Sequence, residues 1–215
     1  MYRVFLNQEL SVSKLIIVFV IGAFIGDILE AVFCRITSGK WMNRSTYIFW
    51  PMSSVWGGAF VLAAIMFYWM ENVSVPIIFI LGVLLGTLYE YLYSFALEKI
   101  FGVKFWDYSG FRFHIKGRVN FVYSLGWGIV AVVWTKLIYP EIELWFHNMS
   151  FAAIHAVGVA LTFELVIDTI VSIAALKRYS LRHTKGMSSG RLWGRVDRYF
   201  TDAYMEEIFP YMLRS

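Results

Sequence analysis

Charged residues are scarce in this chain: they make up 16% of its 215 residues, whereas 59% are hydrophobic and 19% are aromatic. This balance predicts a multi-pass helical membrane protein without a sizeable soluble domain. The net charge is +4, but the basic residues flank apolar segments instead of forming one patch. A nucleic-acid partner is therefore not expected.

Several common catalytic signatures are missing. Cys34 is the only cysteine, so no internal disulfide can form. The sequence has neither a Gly-x-x-x-x-Gly-Lys-Ser/Thr loop nor a Gly-x-Ser-x-Gly elbow, so the chain is not expected to hydrolyse ATP through a P-loop or to use that serine chemistry. The histidines lack the spacing of metal ligands, which argues against a His-rich metal site. They are His114, His147, His155 and His183.

Five apolar segments are each close to the ~20 residues that a helix needs to cross the hydrocarbon core. They cover residues 13–36, 48–70, 76–100, 121–139 and 151–176. The fourth is the shortest, and Pro140 is expected to end it. The predicted fold class is an all-α integral membrane protein, with a bundle of five transmembrane helices over residues 1–176.

Loop charges predict the orientation of this bundle. Lysine and arginine are concentrated in the first loop, the third loop and the segment after residue 176, and are absent from the second and fourth loops. By the positive-inside rule the first loop, the third loop and the C-terminus lie in the cytoplasm, and the N-terminus lies outside. The expected location is the cell membrane.

Residues 177–215 form a basic tail. Between residues 191 and 209 an apolar residue recurs every four positions, with charged residues between, and this pattern predicts one amphipathic cytoplasmic helix that lies on the inner leaflet or caps the bundle. The apolar positions are Leu192, Val196, Phe200, Tyr204 and Ile208.

A polar pattern occurs twice along the apolar segments. Glu30 follows Gly26 by four residues, and Glu90 follows Gly86 in the same way. After each intervening loop comes Ser-x-x-Trp-Gly, at residues 53–57 and 124–128. We therefore predict a duplicated two-helix unit, residues 13–70 and 76–139, related by an axis along the membrane normal, with 151–176 as an added fifth span.

Carboxylates inside the apolar segments are the strongest indication of a site, because a charge in the bilayer is costly. Topology places the repeated glutamates and tryptophans at similar depth, in a cavity open to the cytoplasm. Such a cluster could bind a cation with help from tryptophan faces, act in proton transfer, or hold a divalent cation such as Mg²⁺. Alternatively, the acids pair with arginines and only stabilise the bundle. The predicted binding residues are Glu30, Glu90, Glu164, Asp168, Trp56 and Trp127, with Glu30, Glu90 and Glu164 as the metal ligands if a metal is bound.

The third loop offers a second group of polar side chains beside the fourth span. Arg118 has the planar guanidinium that binds a phosphate or carboxylate through two hydrogen bonds. An interfacial loop with an aromatic belt and positive-inside charge is the alternative interpretation. The candidate residues here are Asp107, Tyr108, Arg118 and Asn120.

These motifs together resemble the type IV ABC-transporter permease family, which is related to a small group of vertebrate multi-pass membrane proteins. The resemblance covers about residues 20–135, and the Trp-Asp-Tyr-Ser and Gly-Arg elements of the third loop are its most specific part. The chain departs from the family where Asn43-Arg44 is followed by Ser45 instead of glycine. The matching residues are Glu30, Asn43, Arg44, Glu90, residues 105–109, Gly117, Arg118, Ser124, Trp127 and Gly128.

The resemblance implies a permease-like protein that moves a small or amphiphilic solute through the predicted cavity, with Arg44, Asp107 and Arg118 at its cytoplasmic entrance. Five spans make a small permease, so a homodimer or an ATPase subunit is expected as partner. No cofactor is predicted apart from the divalent cation considered above. The alternatives are an intramembrane enzyme acting on a lipid or isoprenoid, with paired carboxylates as acid, base or metal ligands, and a non-catalytic membrane scaffold.

Overall fold

Apolar helices dominate the structure, a computed structural model that describes residues 10–41, 43, 45–70, 72–185, 191–210 and 212–214. Four short strands accompany the helices in this part of the chain. The helices are α1 (Val12–Ser38), α2 (Ser54–Met70), α3 (Val75–Phe101), α4 (Phe121–Val133), a π-helical turn (Trp134–Ile138), α5 (Tyr139–His147), α6 (Phe151–Lys185), α7 (Arg191–Tyr199) and α8 (Asp202–Ile208). The strands are β1 (Val103–Lys104), β2 (His114–Ile115), β3 (Val119–Asn120) and β4 (Leu213–Arg214).

Four helices of the described chain are long and apolar enough to cross a membrane. The prediction of a helical membrane protein is confirmed at this level. The four membrane-competent helices are Val12–Ser38, Val75–Phe101, Phe121–His147 and Phe151–His183. Helix α2, which corresponds to the predicted second span, is apolar but shorter, and begins at Ser54 instead of residue 48.

The late start of α2 has a local cause. The Ser45 hydroxyl lies 3.0 Å from the carbonyl of Trp50 and 2.9 Å from that of Met52, and Thr46 Oγ1 accepts from the backbone N–H of Ser54 at 2.8 Å. These side chains form hydrogen bonds with backbone groups that would otherwise bond to one another in a helix. Serine and threonine compete with helix formation in this way. The predicted second span therefore includes a hydrogen-bonded loop at its beginning.

Pro140 does not end the fourth span, so this prediction is wrong. The helix that begins at Phe121 continues to His147, with a π-helical turn over Trp134–Ile138 immediately before Pro140. Proline lies in the first turn of α5, where its missing N–H is least costly. A π-helical turn shifts the hydrogen-bond register, and this shift allows the chain to remain helical through the proline.

The helices pack mainly as two antiparallel hairpins, α1 with α2 and α3 with α4. Helix α6 packs along α1, where Ile154 belongs to the same buried cluster as Ile17, and Leu165 to the same cluster as Ala23. Helix α6 therefore lies against the first hairpin, on its α1 side.

Loop one, loop three and the C-terminal segment meet at one end of the molecule. Val103 in β1 pairs with Arg214 in β4, and Asn43 Nδ2 donates to the carbonyl of Ile208 at 3.3 Å. Beneath them a buried cluster joins Phe101 and Phe105 to Met205 and other residues of α6 and α8. This is also the end at which the basic residues of the first and third loops lie.

The predicted amphipathic helix over 191–209 is interrupted. Helix α7 ends at Tyr199 and α8 begins at Asp202, because Thr201 caps α8 by accepting from the N–H of Tyr204 at 3.3 Å. Arg182 fixes the break by donating to the carbonyl of Phe200 at 3.0 Å. Helix α8 caps the bundle through Met205, which is fully buried.

Helix α6 itself continues beyond the predicted end of the fifth span at residue 176, as far as Lys185. Its last turns contact the C-terminal tail. Arg178 donates to the Asp197 carboxylate through Nε and Nη2, and Arg182 donates to the same carboxylate. The hydrogen bonds from Arg178, followed by those from Arg182, hold the pKa of Asp197 below its usual range.

Candidate functional site

A cavity of about 390 Å³ lies between the two hairpins and loop three. Its walls are mostly apolar and aromatic, with the Glu30 and Glu90 carboxylates among them. An apolar pocket with few polar groups is the usual form of a small-molecule site. The cavity is lined by Leu29, Glu30, Phe33, Cys34, Thr46, Ser53, Val55, Trp56, Glu90, Phe105, Trp106, Tyr108, Tyr123, Gly126, Trp127 and Val130.

The same contact occurs in both hairpins. Trp56 Nε1 donates to Glu30 Oε2 at 3.0 Å, and Trp127 Nε1 donates to Glu90 Oε2 at 2.9 Å. In each case the glutamate belongs to the first helix of the hairpin and the tryptophan to the second. The sequence pattern that recurs thus corresponds to one arrangement of side chains at two places in the cavity wall.

A glycine one turn before each glutamate makes this arrangement sterically feasible. A Cβ at Gly26 would lie 2.1 Å from Cγ of Trp56, and a Cβ at Gly86 would lie 2.6 Å from Cβ of Trp127. Any side chain at these positions would displace the indole. Glycine therefore allows each tryptophan to lie flat on the neighbouring helix with its N–H directed at the carboxylate.

The two tryptophans also contact each other. The rings of Trp56 and Trp127 have centroids 5.1 Å apart and planes inclined by 41°. Since Trp56 belongs to α2 and Trp127 to α4, the pair joins the hairpins at the cavity. The carboxylates that they bind consequently face one common space.

Tyr108 connects loop three to this space. Its hydroxyl donates to Glu90 Oε1 at 3.0 Å, and its ring stacks on Tyr123 with centroids 4.8 Å apart. Burial, and then the neighbouring Glu90 carboxylate, raise the pKa of Tyr108 above its ordinary value. The phenol therefore stays protonated and acts as a hydrogen-bond donor to Glu90.

Asp107 organises loop three instead of lining the cavity. It accepts from the backbone N–H of Ser109 at 2.8 Å and pairs with Lys104 at 3.3 Å. The hydrogen bonds from Ser109, followed by Lys104, hold the pKa of Asp107 below its usual range. Gly117 has a φ of +69°, and a Cβ there would lie 2.4 Å from the Asp107 carboxylate, so the loop requires glycine at this position.

Arg118 and Asn120 are also absent from the cavity lining. Arg118 is in an ion pair with Glu98 of α3, and its guanidinium lies 5.4 Å from the ring centroid of Phe95. Asn120 caps α4 by accepting from the N–H of Val122 at 2.9 Å and donates to the carbonyl of Arg112 at 2.6 Å. Both residues position loop three on the bundle.

The acids of α6 lie apart from the cavity lining. Asp168 is 1% exposed and accepts from the backbone N–H of Ile48 at 3.2 Å and from the Ser172 hydroxyl at 3.0 Å. Glu164 accepts from Trp50 Nε1 at 3.1 Å. These two carboxylates hold the segment before α2, which explains how a loop can remain packed beside α6.

We expect Asp168→Ala to lower the free energy of unfolding by about 1–3 kcal/mol, because the partly buried N–H of Phe49 would lose its acceptor and the buried N–H of Ile48 would keep only the Ser172 hydroxyl, at 3.1 Å. Thermal unfolding of purified protein in detergent measures this. Glu164→Ala is the matched control on the same helix, with a smaller expected effect because it removes one bond to a partly exposed indole. Equal effects of the two substitutions would contradict this assignment.

Two further predictions of the sequence concern metal binding and Arg44. Among the residues that the structure describes, no group of three or more histidine, cysteine or acidic side chains could hold a metal ion. Glu164 lies outside the cavity that contains Glu30 and Glu90. Arg44 falls outside the described residues.

Several lining residues were not singled out from the sequence. They follow from helical spacing once Trp127 and Glu30 are known, because residues three and four apart share a helix face. Tyr123 and Val130 accompany Trp127 in this way, Gly126 is three residues after Tyr123, and Phe33 and Cys34 accompany Glu30. A Cβ at Gly126 would meet nothing within 4 Å, so this glycine borders open space.

The family described as "Putative ABC-transporter type IV" matches residues 17–173. The chain belongs to this family. The resemblance seen in the sequence motifs is thereby confirmed. In this member of the ABC-transporter type IV family the matched region runs from α1 into α6, and it includes all the described residues that line the cavity. No curated protein and no solved structure matches the chain.

Proposed function

We propose that this protein is a permease-like component of the cell membrane that binds and moves a small or amphiphilic solute through the cavity between its hairpins. The observation that carries the proposal is the cavity itself, about 390 Å³ in volume. Its carboxylates are held by Trp56 and Trp127, which fixes their direction toward the interior. A pre-formed polar arrangement within apolar walls is what binding sites in helical bundles provide.

The proposal includes the orientation and the span count. Helix α2 crosses the membrane in addition to the four long apolar helices, which makes five spans, and the end formed by loop one, loop three and the C-terminal segment faces the cytoplasm. The concentration of basic residues at that end supports this orientation. The repeated glutamate–tryptophan contacts support a duplicated two-helix unit, with α6 as the added span.

In this proposal the partner is an ATPase subunit or a second copy of the chain, and an ATPase would drive transport against a gradient, whereas entry down a gradient needs only the membrane component. The family description supports the first of these partners. The sequence contains no P-loop, so ATP hydrolysis would have to come from another chain.

Gly126→Leu tests the proposal, since leucine would occupy the cavity without meeting other side chains near its Cβ. We expect protein-dependent entry of a fluorescent solute into proteoliposomes to fall by about tenfold or more. The cation ethidium and the anion carboxyfluorescein are the probes, so that a preference of either sign is detected. Ala160→Leu, an exposed position on α6, places the same side chain outside the cavity and should leave flux unchanged.

Two results would contradict the proposal: no protein-dependent entry of either probe, or equal entry through wild type and Gly126→Leu. Thermal unfolding of both variants provides the folding control. Leucine is favoured over glycine in a helix, so loss of flux in Gly126→Leu with unchanged or raised stability would identify obstruction as the cause.

A further inference from the structure

A second cavity of about 300 Å³ adjoins the first. The two cavities share Trp127 and Val130 in their walls. Unlike the first, the second has no carboxylate among the described residues that line it. It is lined by Ala59, Phe60, Leu62, Ala63, Met66, Ile78, Gly82, Leu85, Gly86, Leu88, Tyr89, Leu92, Trp127, Val130, Ala131, Trp134 and Thr135.

The two cavities follow one another along the helices. On α2 the first cavity begins at Val55 and the second extends to Met66, a distance of about 16 Å at the rise of an α-helix. On α3, which runs in the opposite direction, Glu90 lines the first cavity and Ile78 lines the far end of the second. The polar cavity thus lies toward loop three, and the apolar cavity lies deeper between the helices.

The second cavity is open at its side. Leu62, Leu88 and Leu92 line it, yet these side chains are 45%, 53% and 53% exposed. Exposed leucines on membrane-crossing helices contact lipid chains. An alkyl chain can therefore enter this cavity directly from the bilayer.

Glu90 supplies a buried negative charge to the first cavity, which Glu30 also lines. Its carboxylate is 5% exposed, and its two oxygens accept from neutral donors, Tyr108 and Trp127. Within the described ranges, no lysine or arginine forms an ion pair with it. Each carboxylate oxygen has capacity for a further contact, and a buried carboxylate without a cationic partner favours a cation from the ligand.

Aromatic rings form much of the wall of the cavity that this carboxylate lines. Trp56, Trp106, Tyr108, Tyr123 and Trp127 all line the same cavity. Rings around a buried negative charge are the arrangement by which proteins recognise quaternary ammonium groups, because each ring face attracts the cation without demanding a hydrogen bond.

We infer that the solute is a single-chain amphiphile with a quaternary ammonium head group, bound with its head at Glu90 and its alkyl chain in the second cavity. This inference rests on the proposed function and specifies its substrate. In this pose the head lies on the side of loop three, and the chain extends between α2 and α3 toward their opposite ends, at Met66 and Ile78.

Equilibrium binding to the purified protein in phosphatidylethanolamine nanodiscs, whose lipid carries no quaternary ammonium group, tests the inference, with empty nanodiscs as the correction for partitioning. The probes are dodecyltrimethylammonium, butyltrimethylammonium and dodecyl sulfate. We expect the first to bind at least about tenfold more tightly than either of the others. Glu90→Gln should reduce the preference for the cation over dodecyl sulfate by about tenfold or more, while Ala63→Phe should abolish the preference for the long chain over the short one.

Separate losses in the two variants would support one ligand spanning both cavities. Equal binding of dodecyl sulfate and dodecyltrimethylammonium, or an Ala63→Phe protein that keeps its chain-length preference, would overturn the inference. Thermal unfolding checks that each variant is folded, and Ala63→Leu replaces Ala63→Phe if the larger ring prevents folding.

The binding experiment also separates this inference from the proposed function. Binding as expected, without protein-dependent solute entry in proteoliposomes, would support the ligand class and contradict transport. Solute entry that Gly126→Leu blocks, without binding of the ammonium probe, would support transport and overturn the ligand class.

Discussion

Glu90→Gln is expected to lower the entry of ethidium into proteoliposomes by about tenfold or more while leaving the stability of the protein close to that of wild type. The substitution removes a charge and keeps the shape of the side chain. Loss of one partner of a buried charge pair usually costs a few kcal/mol of binding, and ethidium entry would lose that contribution. Entry of carboxyfluorescein should not fall.

Stability should be retained because the hydrogen bonds of Glu90 can be rebuilt. Trp127 Nε1 is only a donor, so the glutamine carbonyl would take its place opposite the indole. The glutamine amide would then face Tyr108, whose hydroxyl can rotate from donor to acceptor. The variant therefore keeps both contacts and lacks only the negative charge.

Glu141→Gln is the matched control, since this glutamate is exposed on α5 and does not line the cavity. It should leave the entry of both probes unchanged. If Glu90→Gln lowered ethidium and carboxyfluorescein entry equally, the carboxylate would serve the architecture of the cavity and not the selection of charge.

The sequence predicted the centre of the candidate site because its signal is local. A glycine four residues before each glutamate, and a tryptophan three residues after each serine, repeat at fixed helical spacing. Helical geometry then determines which face each residue occupies. Glu30, Glu90, Trp56 and Trp127 consequently line one cavity in the structure, as the pattern indicates.

The partners of the other polar residues depend on contacts between distant segments, which periodicity does not encode. Asp168 binds the backbone of Ile48, and Arg118 binds Glu98. Asp168 and Glu98 both lie on apolar helices, as Glu90 does. These carboxylates stabilise the fold because a loop backbone lies beside Asp168 and a loop arginine lies beside Glu98. The sequence pattern does not show that these segments are close to each other.

The beginning of α2 and the continuation of the helix after α4 show a second limit of prediction from hydropathy patterns. Residues 48–53 are apolar enough to extend the second span, yet Ser45 and Asp168 bind backbone groups there and keep the segment non-helical. Pro140 indicates a helix end, yet the π-helical turn before it carries the helix onward. In both places hydrogen bonding that apolar composition does not reveal determines the boundary.

Gly26→Ala and Gly86→Ala are each expected to lower the free energy of unfolding by about 1–3 kcal/mol, which is the usual cost of overpacking. The added Cβ would lie within 2.1 Å of Trp56 Cγ in the first case and 2.6 Å of Trp127 Cβ in the second. These atoms lie at the base of a large side chain, so they can move only if the indole or the helix moves. Thermal unfolding in detergent measures the loss.

Gly126→Ala distinguishes this packing effect from the general effect of alanine in a helix. A Cβ at Gly126 meets nothing within 4 Å, and alanine stabilises a helix relative to glycine by about 1 kcal/mol. The expected change at Gly126 therefore has the opposite sign to that at Gly26 and Gly86. Stabilisation at all three positions would contradict the close tryptophan packing, whereas destabilisation at Gly26 and Gly86 alone would show that the recurring glycine keeps each indole beside its glutamate.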